Sequence, residues 1–339
     1  MEEIQKNDMN KIIFGDCRES MRQLAADGVK VQMCVTSPPY YMLRDYGHDG
    51  QIGMEKSPEQ YIEAMVEVFR CVKNILADDG VLWVNIGDSY ARNGGGVESR
   101  TLKSIHEMKV GQKAVFLAGG MQSINKVPTG LKEKDLIGIP WMLAFALRAD
   151  GWYLRQDIIW HKPNPMPESV TDRCTKAHEY IFLLSKSPKY FYDNDAIKEP
   201  SKYPNDNRKS RVNVDTAKDF QRDVGNKLAA GDKTYPFKNK RSVWTVNTKP
   251  YKGAHFAVFP EELIKPCILA GSRVGDVVLD PFMGSGTTAQ VALQLGRKYL
   301  GCELNPSYKD LQDKRVAQSI ATTPQAPTAD DVELDQPIS

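Results

Sequence analysis

The sequence predicts an α/β fold built on a doubly wound, mostly parallel sheet. Short runs of apolar residues alternate with longer segments in which apolar residues recur at helical spacing. This alternation is typical of parallel strands that are joined by helical crossovers. The chain has 339 residues, of which 41% are hydrophobic, so it can form one large α/β domain that carries an inserted subdomain.

The individual elements follow from these patterns. Strands are predicted at residues 11–14, 31–36, 81–86, 153–160, 179–184, 277–279 and 299–302. Helices are predicted at residues 59–76, 141–149, 261–269 and 288–295. Ligands bind such sheets at the carboxyl ends of the strands, so the residues at these ends are the candidates for function.

The strand predicted at 31–36 ends in Thr36-Ser37-Pro38-Pro39-Tyr40. Two consecutive prolines fix two φ angles and remove two backbone donors, which predicts a rigid corner. The carbonyls of Ser37 and Pro38 are followed by no N–H group, so they can face a ligand. With acceptors at its edge and the Tyr40 ring beside it, this corner suits a planar amine such as a flipped nucleobase.

Two other interpretations fit the same residues. The motif can be an ordinary turn after a strand, or a proline-rich ligand for an aromatic groove. The ligand interpretation requires an exposed, extended segment, whereas the apolar residues before the motif predict a buried strand.

A second motif follows the strand predicted at 277–279 and reads Asp280-Pro281-Phe282-Met283-Gly284-Ser285-Gly286-Thr287. A strand, a glycine loop and a helix in this order bring backbone N–H groups and a helix N-terminus to a ligand. The next predicted strand leads into Glu303, about 20 residues after the glycine loop, where a carboxylate is placed to hold two ribose hydroxyls.

The glycine loop also fits the G-x-G-x-x-A pattern of dinucleotide sites, from Gly284 to Ala289. A phosphate-binding P-loop is disfavoured because no lysine follows Gly286. Asp280 lies where a pyrophosphate would bind, and its carboxylate suits a ligand with a positive end. The ammonium and sulfonium groups of S-adenosylmethionine favour this methyl donor over a nicotinamide cofactor.

Asp16 follows the first predicted strand and has two interpretations. At that position it can accept a hydrogen bond from the adenine amino group of the cofactor. It can equally be the N-cap of a helix over residues 18–24.

With both motifs in this order, the chain resembles the amino-directed DNA methyltransferases of the permuted beta class. Residues 157–169 and 178–186 are similar to later motifs of the catalytic region, and the similarity covers about residues 10–90, 138–195 and 244–310. The resemblance implies an S-adenosylmethionine-dependent methyltransferase fold that is circularly permuted and carries an inserted recognition region. It implies the catalytic residues Ser37, Pro38, Pro39 and Tyr40. The cofactor-binding residues that it implies are Asp16, Thr36, His255, Phe256, Phe259, Pro260, Asp280, Pro281, Phe282, Gly284, Ser285, Gly286, Thr287 and Glu303.

The absence of a cysteine beside the Pro-Pro motif predicts direct methyl transfer without a covalent enzyme intermediate. Family members with serine at the first motif position tend to methylate the 4-amino group of cytosine. The resemblance therefore favours cytosine as the target base, with the 6-amino group of adenine as the alternative. Methyl transfer to RNA or to a protein amide, and a non-catalytic DNA-binding module, are further hypotheses.

Charge is unevenly distributed along the chain. The net charge is +2, yet residues 198–252 contain 14 Lys/Arg and 6 Asp/Glu together with six aromatic residues. A basic segment with aromatic residues suits a surface that follows DNA phosphates, although a solvated loop has the same composition. We therefore expect a catalytic part at 10–195, a target-recognition insertion at 196–252, a cofactor-binding part at 253–318 and a disordered tail at 319–339. Residues 92–134 predict a long mobile loop that closes over DNA or over the flipped base.

The cysteine spacing and the lengths of the apolar runs predict the metal content and the cellular location of the protein. The six cysteines form no C-x-x-C pair and no zinc spacing, so no metal is expected. The N-terminus has no apolar signal core, and no apolar run is long enough for a membrane span. We expect a cytoplasmic protein that acts on double-stranded DNA, and the resemblance raises a companion restriction endonuclease as a partner.

Overall fold

The computed structural model describes residues 9–43, 45, 47–48, 50–91, 127, 130–202, 235–248 and 259–322. Its strands are β1 (Lys11–Phe14), β2 (Val31–Thr36), β3 (Leu76–Ile86), β4 (Tyr153–His161), β5 (His178–Ser185), β6 (Glu199–Pro200), β7 (Phe237–Lys238), β8 (Val243–Thr245), β9 (Val277–Asp280) and β10 (Lys298–Glu303). Its α-helices are α1 (Cys17–Ala26), α2 (Pro58–Ile75), α3 (Ile139–Ala149), α4 (Glu261–Gly271), α5 (Thr287–Gln294) and α6 (Lys309–Thr322).

Among these residues, eight strands form one sheet in the order β1-β10-β9-β2-β3-β5-β4-β8. Neighbouring strands are parallel except for the two pairs that involve β5, which runs against both β3 and β4. The strands β6 and β7 form a separate antiparallel pair. The predicted α/β fold with a mostly parallel sheet is confirmed.

Helices cover both faces of the sheet. Along β3, Leu82 contributes to a core with α1, α2 and α3, whereas the adjacent Trp83 contributes to a second core with α4 and α5. Successive side chains of a strand point to opposite faces, so these two cores lie on opposite sides of the sheet. This is the doubly wound arrangement that the alternation of strands and helices predicts.

Local signals explain where the elements begin and end. The helix α2 begins after Ser57, whose hydroxyl caps the backbone N–H of Gln60, and it has Pro58 at its first position. The strand β2 ends at Thr36, one residue before the two prolines. The helix α6 and the short strands β6, β7 and β8 were not predicted. The strand β8 lies within the segment assigned to target recognition, yet it forms the edge of the main sheet beside β4.

The strand of the glycine loop lies directly beside the strand of the proline motif. In the parallel pair of β2 and β9, Met33 is opposite Val278 and Cys34 is opposite Leu279. Both strands therefore present their carboxyl ends at the same edge of the sheet, as predicted.

The predicted domain boundaries stay predictions, because residues 92–126, 203–234, 249–258 and 323–339 lie outside the described part of the chain. Most of the long loop predicted at 92–134 and most of the recognition insertion fall on these residues. None of the helices within the described ranges is both long enough and apolar enough to cross a membrane.

Candidate active site

A cavity of about 1800 Å³ opens at the edge where the strands of both motifs end. The sequence-predicted site residues that line it are Asp16, Ser37, Pro38, Pro39, Tyr40, Phe259, Pro281, Phe282, Gly284, Ser285, Thr287 and Glu303. Thr36, Pro260, Asp280 and Gly286 are not part of its lining. His255 and Phe256 lie outside the described residues. One cavity therefore joins the proline motif to the glycine loop.

The proline corner leaves one backbone acceptor available to a ligand. The Pro39 carbonyl accepts a 2.8 Å hydrogen bond from the hydroxyl of Tyr61, which fixes the corner to α2. No backbone N–H of the described residues donates a hydrogen bond to the Pro38 carbonyl. Because Pro38 lines the cavity, its carbonyl is a candidate acceptor for a ligand amine.

The Tyr40 side chain is held by a network that the sequence analysis did not identify. Its hydroxyl donates to Glu179 Oε2 at 2.6 Å, and Asn85 Nδ2 donates to the same oxygen at 3.3 Å. The ammonium of Lys162 pairs with the other carboxylate oxygen. Burial and the negative charge of Glu179 raise the pKa of Tyr40 well above its usual value, so the hydroxyl stays protonated.

Gly87 allows Tyr40 to approach the backbone closely. A Cβ atom at Gly87 would lie 2.7 Å from Tyr40 Cε2 and 3.3 Å from the Glu179 side chain. Any larger residue would therefore displace the tyrosine ring or its acceptor. The positions of Asn85, Gly87, Lys162 and Glu179 at the ends of β3, β4 and β5 are the signal that would have identified them.

Asp280 joins the two motifs from within the protein. Its carboxylate is 1% exposed and accepts hydrogen bonds of 2.6 Å from both Thr36 Oγ1 and Thr288 Oγ1. The backbone N–H of Phe282 donates to it at 3.0 Å. Burial raises the pKa of Asp280 to about 6. The described contacts of this carboxylate are thus with protein donors, and they brace the start of the glycine loop. Its predicted role toward the positive end of a ligand stays a prediction.

Glu303 braces the glycine loop and also faces the cavity. One carboxylate oxygen accepts the Gly284 N–H at 2.7 Å, and the other accepts the Asn305 N–H at 2.8 Å. Burial raises the pKa of this carboxyl. Each oxygen has a second lone pair, so the carboxylate can also accept hydrogen bonds from ligand hydroxyls.

The glycine loop has the properties of a ligand cradle. Gly284 and Gly286 have φ angles of 53° and 87°, which favour glycine. The Ser285 hydroxyl is buried and finds no hydrogen-bond partner in the described part of the chain. Buried polar groups are normally hydrogen bonded, so this hydroxyl fits a ligand that brings a hydrogen-bonding group to the loop.

Asp16 has the N-cap role that was one of its two interpretations, and it also lies where the other, a contact with the cofactor, requires it to be. It is the N-cap of α1, where it accepts the Arg18 N–H at 2.7 Å. The Arg18 guanidinium also binds its carboxylate and lowers its pKa. Asp16 lines the cavity as well, so its role toward a cofactor stays a prediction.

The family model of DNA methylases matches residues 31–314 of this chain. The chain belongs to the DNA methylase family. The match begins at β2, which carries the proline motif, and ends within α6, after the glycine loop. The resemblance to amino-directed DNA methyltransferases of the N4/N6 class is confirmed.

Curated relatives of this DNA methylase cover nearly the whole chain. The Type II methyltransferase M.SmaI of Serratia marcescens is 48% identical over 306 residues, which cover 90% of each chain. The Type II methyltransferase M.Cfr9I of Citrobacter freundii is 47% identical over 302 residues, which cover 89% of this chain and 86% of the relative. The chain is a Type II DNA methyltransferase.

Solved structures of other methyltransferases share the fold. The PvuII DNA methyltransferase, described as cytosine-N4-specific, has a TM-score of 0.57 and 17% sequence identity, with coverage of 91% of this chain and 86% of that chain. A Thermus thermophilus protein described as a DNA modification methylase was solved in complex with S-adenosyl-L-methionine. It has a TM-score of 0.53 and 22% identity, with coverage of 94% and 96%.

Proposed function

We propose that this DNA methylase transfers a methyl group from S-adenosylmethionine to the exocyclic amine of a flipped base in double-stranded DNA. The preferred target is the 4-amino group of cytosine. The observation that carries the proposal is that one cavity is lined both by Ser37, Pro38 and Tyr40 of the proline motif and by the glycine loop with Glu303. Such a cavity can hold a base and a methyl donor side by side.

The residues at the glycine-loop end fit the methyl donor. The Glu303 carboxylate has lone pairs for two ribose hydroxyls, and the buried Ser285 hydroxyl lacks a partner that a ligand can provide. Phe259 and Phe282 add apolar walls to this part of the cavity, and Asp16 is an acceptor for an adenine amino group. When bound, S-adenosylmethionine supplies an electrophilic methyl group on its sulfonium.

The residues at the proline end hold the amine. An exocyclic amine is a weak nucleophile because its lone pair is delocalised into the ring. The Ser37 hydroxyl and the Pro38 carbonyl accept hydrogen bonds from its two N–H groups and favour a pyramidal nitrogen, while the Tyr40 ring stacks on the base. When the nitrogen gains the methyl group, one N–H proton is released to water. Proximity and orientation supply most of the remaining acceleration.

The surroundings of Cys17 support direct transfer. This cysteine lines the cavity, but burial raises the pKa of its thiol to about 12. The thiol therefore stays protonated at neutral pH and is a poor nucleophile. Cys17 is therefore not activated to form a covalent enzyme–base intermediate.

The preference for cytosine rests on Ser37 at the first position of the proline motif, by resemblance to family members with serine there. Adenine remains the second candidate, because both bases present a ring nitrogen beside the amine. The test is to incubate unmodified plasmid DNA with the protein and S-adenosylmethionine, and then to identify methylated nucleosides by mass spectrometry. N4-methylcytosine is the expected product. N6-methyladenine would overturn the base assignment, and the absence of any methylated nucleoside would overturn the proposal as a whole.

The basic segment at 198–252 is proposed to track DNA phosphates and to select the target sequence. Single-molecule sequencing of the methylated plasmid would map that sequence. Deletion of residues 203–234, which leaves β8 in place, should abolish methylation and leave binding of the methyl donor intact. We further propose a companion restriction endonuclease that the methylation blocks, and a cytoplasmic location where chromosomal DNA is accessible.

A further inference from the structure

We propose that Met166 enters the DNA duplex and fills the space that the flipped base leaves behind. The inference rests on the proposed function, and it assigns the step that precedes methyl transfer to a residue outside both motifs. Base flipping requires unstacking, and proteins stabilise an opened stack by inserting apolar side chains.

Met166 is the most solvent-exposed large hydrophobic side chain among the described residues, at 85% exposure. It belongs to the loop between β4 and β5, and it lines the same cavity as Ser37 and Tyr40. A base that enters this cavity from a duplex must pass its rim, so the rim lies against the base stack. An apolar side chain held in water at that rim gains burial when DNA arrives.

The loop around Met166 is stiff on its N-terminal side. Pro163, Pro165 and Pro167 alternate with the neighbouring residues and fix three φ angles within five positions. Asn164 forms a reciprocal pair with Thr248, through bonds of 3.1 Å to its carbonyl and 3.0 Å from its N–H. The backbone on this side of Met166 is therefore tied to the segment that follows β8.

The loop is also anchored on its C-terminal side. The Glu168 carboxylate accepts two hydrogen bonds from the Arg173 guanidinium, at 2.6 and 3.2 Å, and one from the Lys176 N–H at 3.1 Å. The Arg173 guanidinium lies 3.9 Å from the centre of the Tyr90 ring. The Lys176 ammonium donates to the Asp88 carbonyl at 2.6 Å. Met166 thus projects from a loop that is fixed at both ends.

The neighbouring rim is apolar as well. Leu43, Leu136 and Val170 line the cavity and are exposed, and they come from separate loops. Methionine is unbranched and polarisable, which suits insertion between flat bases. Duplex DNA with one base extruded is the partner that provides both an apolar gap for Met166 and a base for the cavity.

The test compares two synthetic duplexes that carry the mapped target sequence. In one the target base is paired normally, and in the other it lies opposite an abasic site, so that it is already poorly held in the stack. For Met166→Ala we expect kcat/KM on the paired duplex to fall by at least about tenfold, because no side chain then fills the gap that the flipped base leaves. On the duplex with the abasic site we expect a fall of less than about threefold. Met166→Leu should retain most of the activity on both.

Val274→Ala is the matched control, because Val274 is 75% exposed but does not line the cavity. It should behave like the wild-type protein on both duplexes. Equal activity of Met166→Ala and wild type on the paired duplex would overturn the inference, and so would an equal loss on both duplexes. If the wild-type protein and Val274→Ala methylate neither duplex, the proposed function fails first and the inference fails with it.

Discussion

The hydroxyl of Thr36 donates a 2.6 Å hydrogen bond to the carboxylate of Asp280, across 244 positions of the chain. Thr36 immediately precedes Ser37 of the proline motif, and Asp280 immediately precedes Pro281 of the glycine-loop motif. Both side chains are buried. A contact within the core therefore sets the position of one half of the cavity relative to the other.

Thr36→Val should destabilise the protein. The valine keeps the shape of the side chain but removes one of the three donors to the buried Asp280 carboxylate. We expect the free energy of unfolding to fall by about 1–3 kcal/mol, as measured by urea denaturation. Thr171→Val is the control, since Thr171 is exposed and its replacement should change stability by less than about 0.5 kcal/mol. Indistinguishable unfolding curves for the two variants would contradict the bracing role of the bond.

The raised pKa of Asp280 predicts a pH dependence of stability. Between its usual value of 3.8 and about 6, the folded protein holds a proton on this carboxyl more tightly than the unfolded chain does. The contribution of Asp280 to the free energy of unfolding therefore falls as the pH rises through this window, by roughly 3 kcal/mol at about 1.4 kcal/mol for each pKa unit.

Asp280→Asn removes this titration and serves as the reference. The difference in free energy of unfolding, wild type minus variant, should decrease between pH 3.8 and about 6 and stay constant above that range. Chemical denaturation at a series of pH values measures it. A difference that increases with pH would mean that the pKa is lowered in the folded protein.

Two variants of Tyr40 separate its ring from its hydroxyl. Tyr40→Phe loses the bond to Glu179 but keeps the ring, so kcat/KM for DNA should fall by less than about tenfold. Tyr40→Ala also loses the stacking surface, which is worth about 1–3 kcal/mol per base, and kcat/KM should fall by a further factor of about 10 or more. Both variants should bind S-adenosylmethionine as tightly as the wild type. Equal losses in the two variants would assign the effect to the hydroxyl and not to stacking.

The strands and helices that carry the site were predictable because two local signals agree there. These are the spacing of apolar residues and the prolines or glycines that end each element. Pro38 and Pro281 each end an apolar run, and the observed strands β2 and β9 end within one residue of the predicted positions. The neighbouring placement of these strands followed from the doubly wound fold and was confirmed by their pairing. The fold was therefore readable from local signals together with the topology that they allow.

The helix α6 was missed because the face that it buries is polar. Gln312, Arg315 and Ser319 are almost fully buried along one side of this helix. Gln312 donates to the Gly284 carbonyl at 2.6 Å, and Arg315 contacts the Thr287 hydroxyl. A search for apolar periodicity does not detect a helix of this kind.

The network behind Tyr40 was missed for a different reason. Lys162 and Glu179 are separated in sequence, and they meet only because β4 and β5 pair in one register, with Trp160 opposite Glu179. A single sequence contains no local signal for that register. The predicted placement of the Asp280 charge near a ligand has a similar origin. One of its two threonine donors, Thr36, lies 244 positions away in the chain, so no local pattern indicates that contact.

The most direct measurement of the central claim is a paired assay on Ser37→Ala and Glu303→Gln. For each protein, S-adenosylmethionine affinity is measured by calorimetry, and methyl transfer to DNA is measured by nucleoside mass spectrometry. Ser37→Ala should bind the methyl donor like the wild type and lose turnover. Glu303→Gln should weaken binding by about 10-fold or more, because a charged acceptor is lost. Unchanged turnover of Ser37→Ala, or unchanged affinity of Glu303→Gln, would contradict the assignment of the two ends of the cavity.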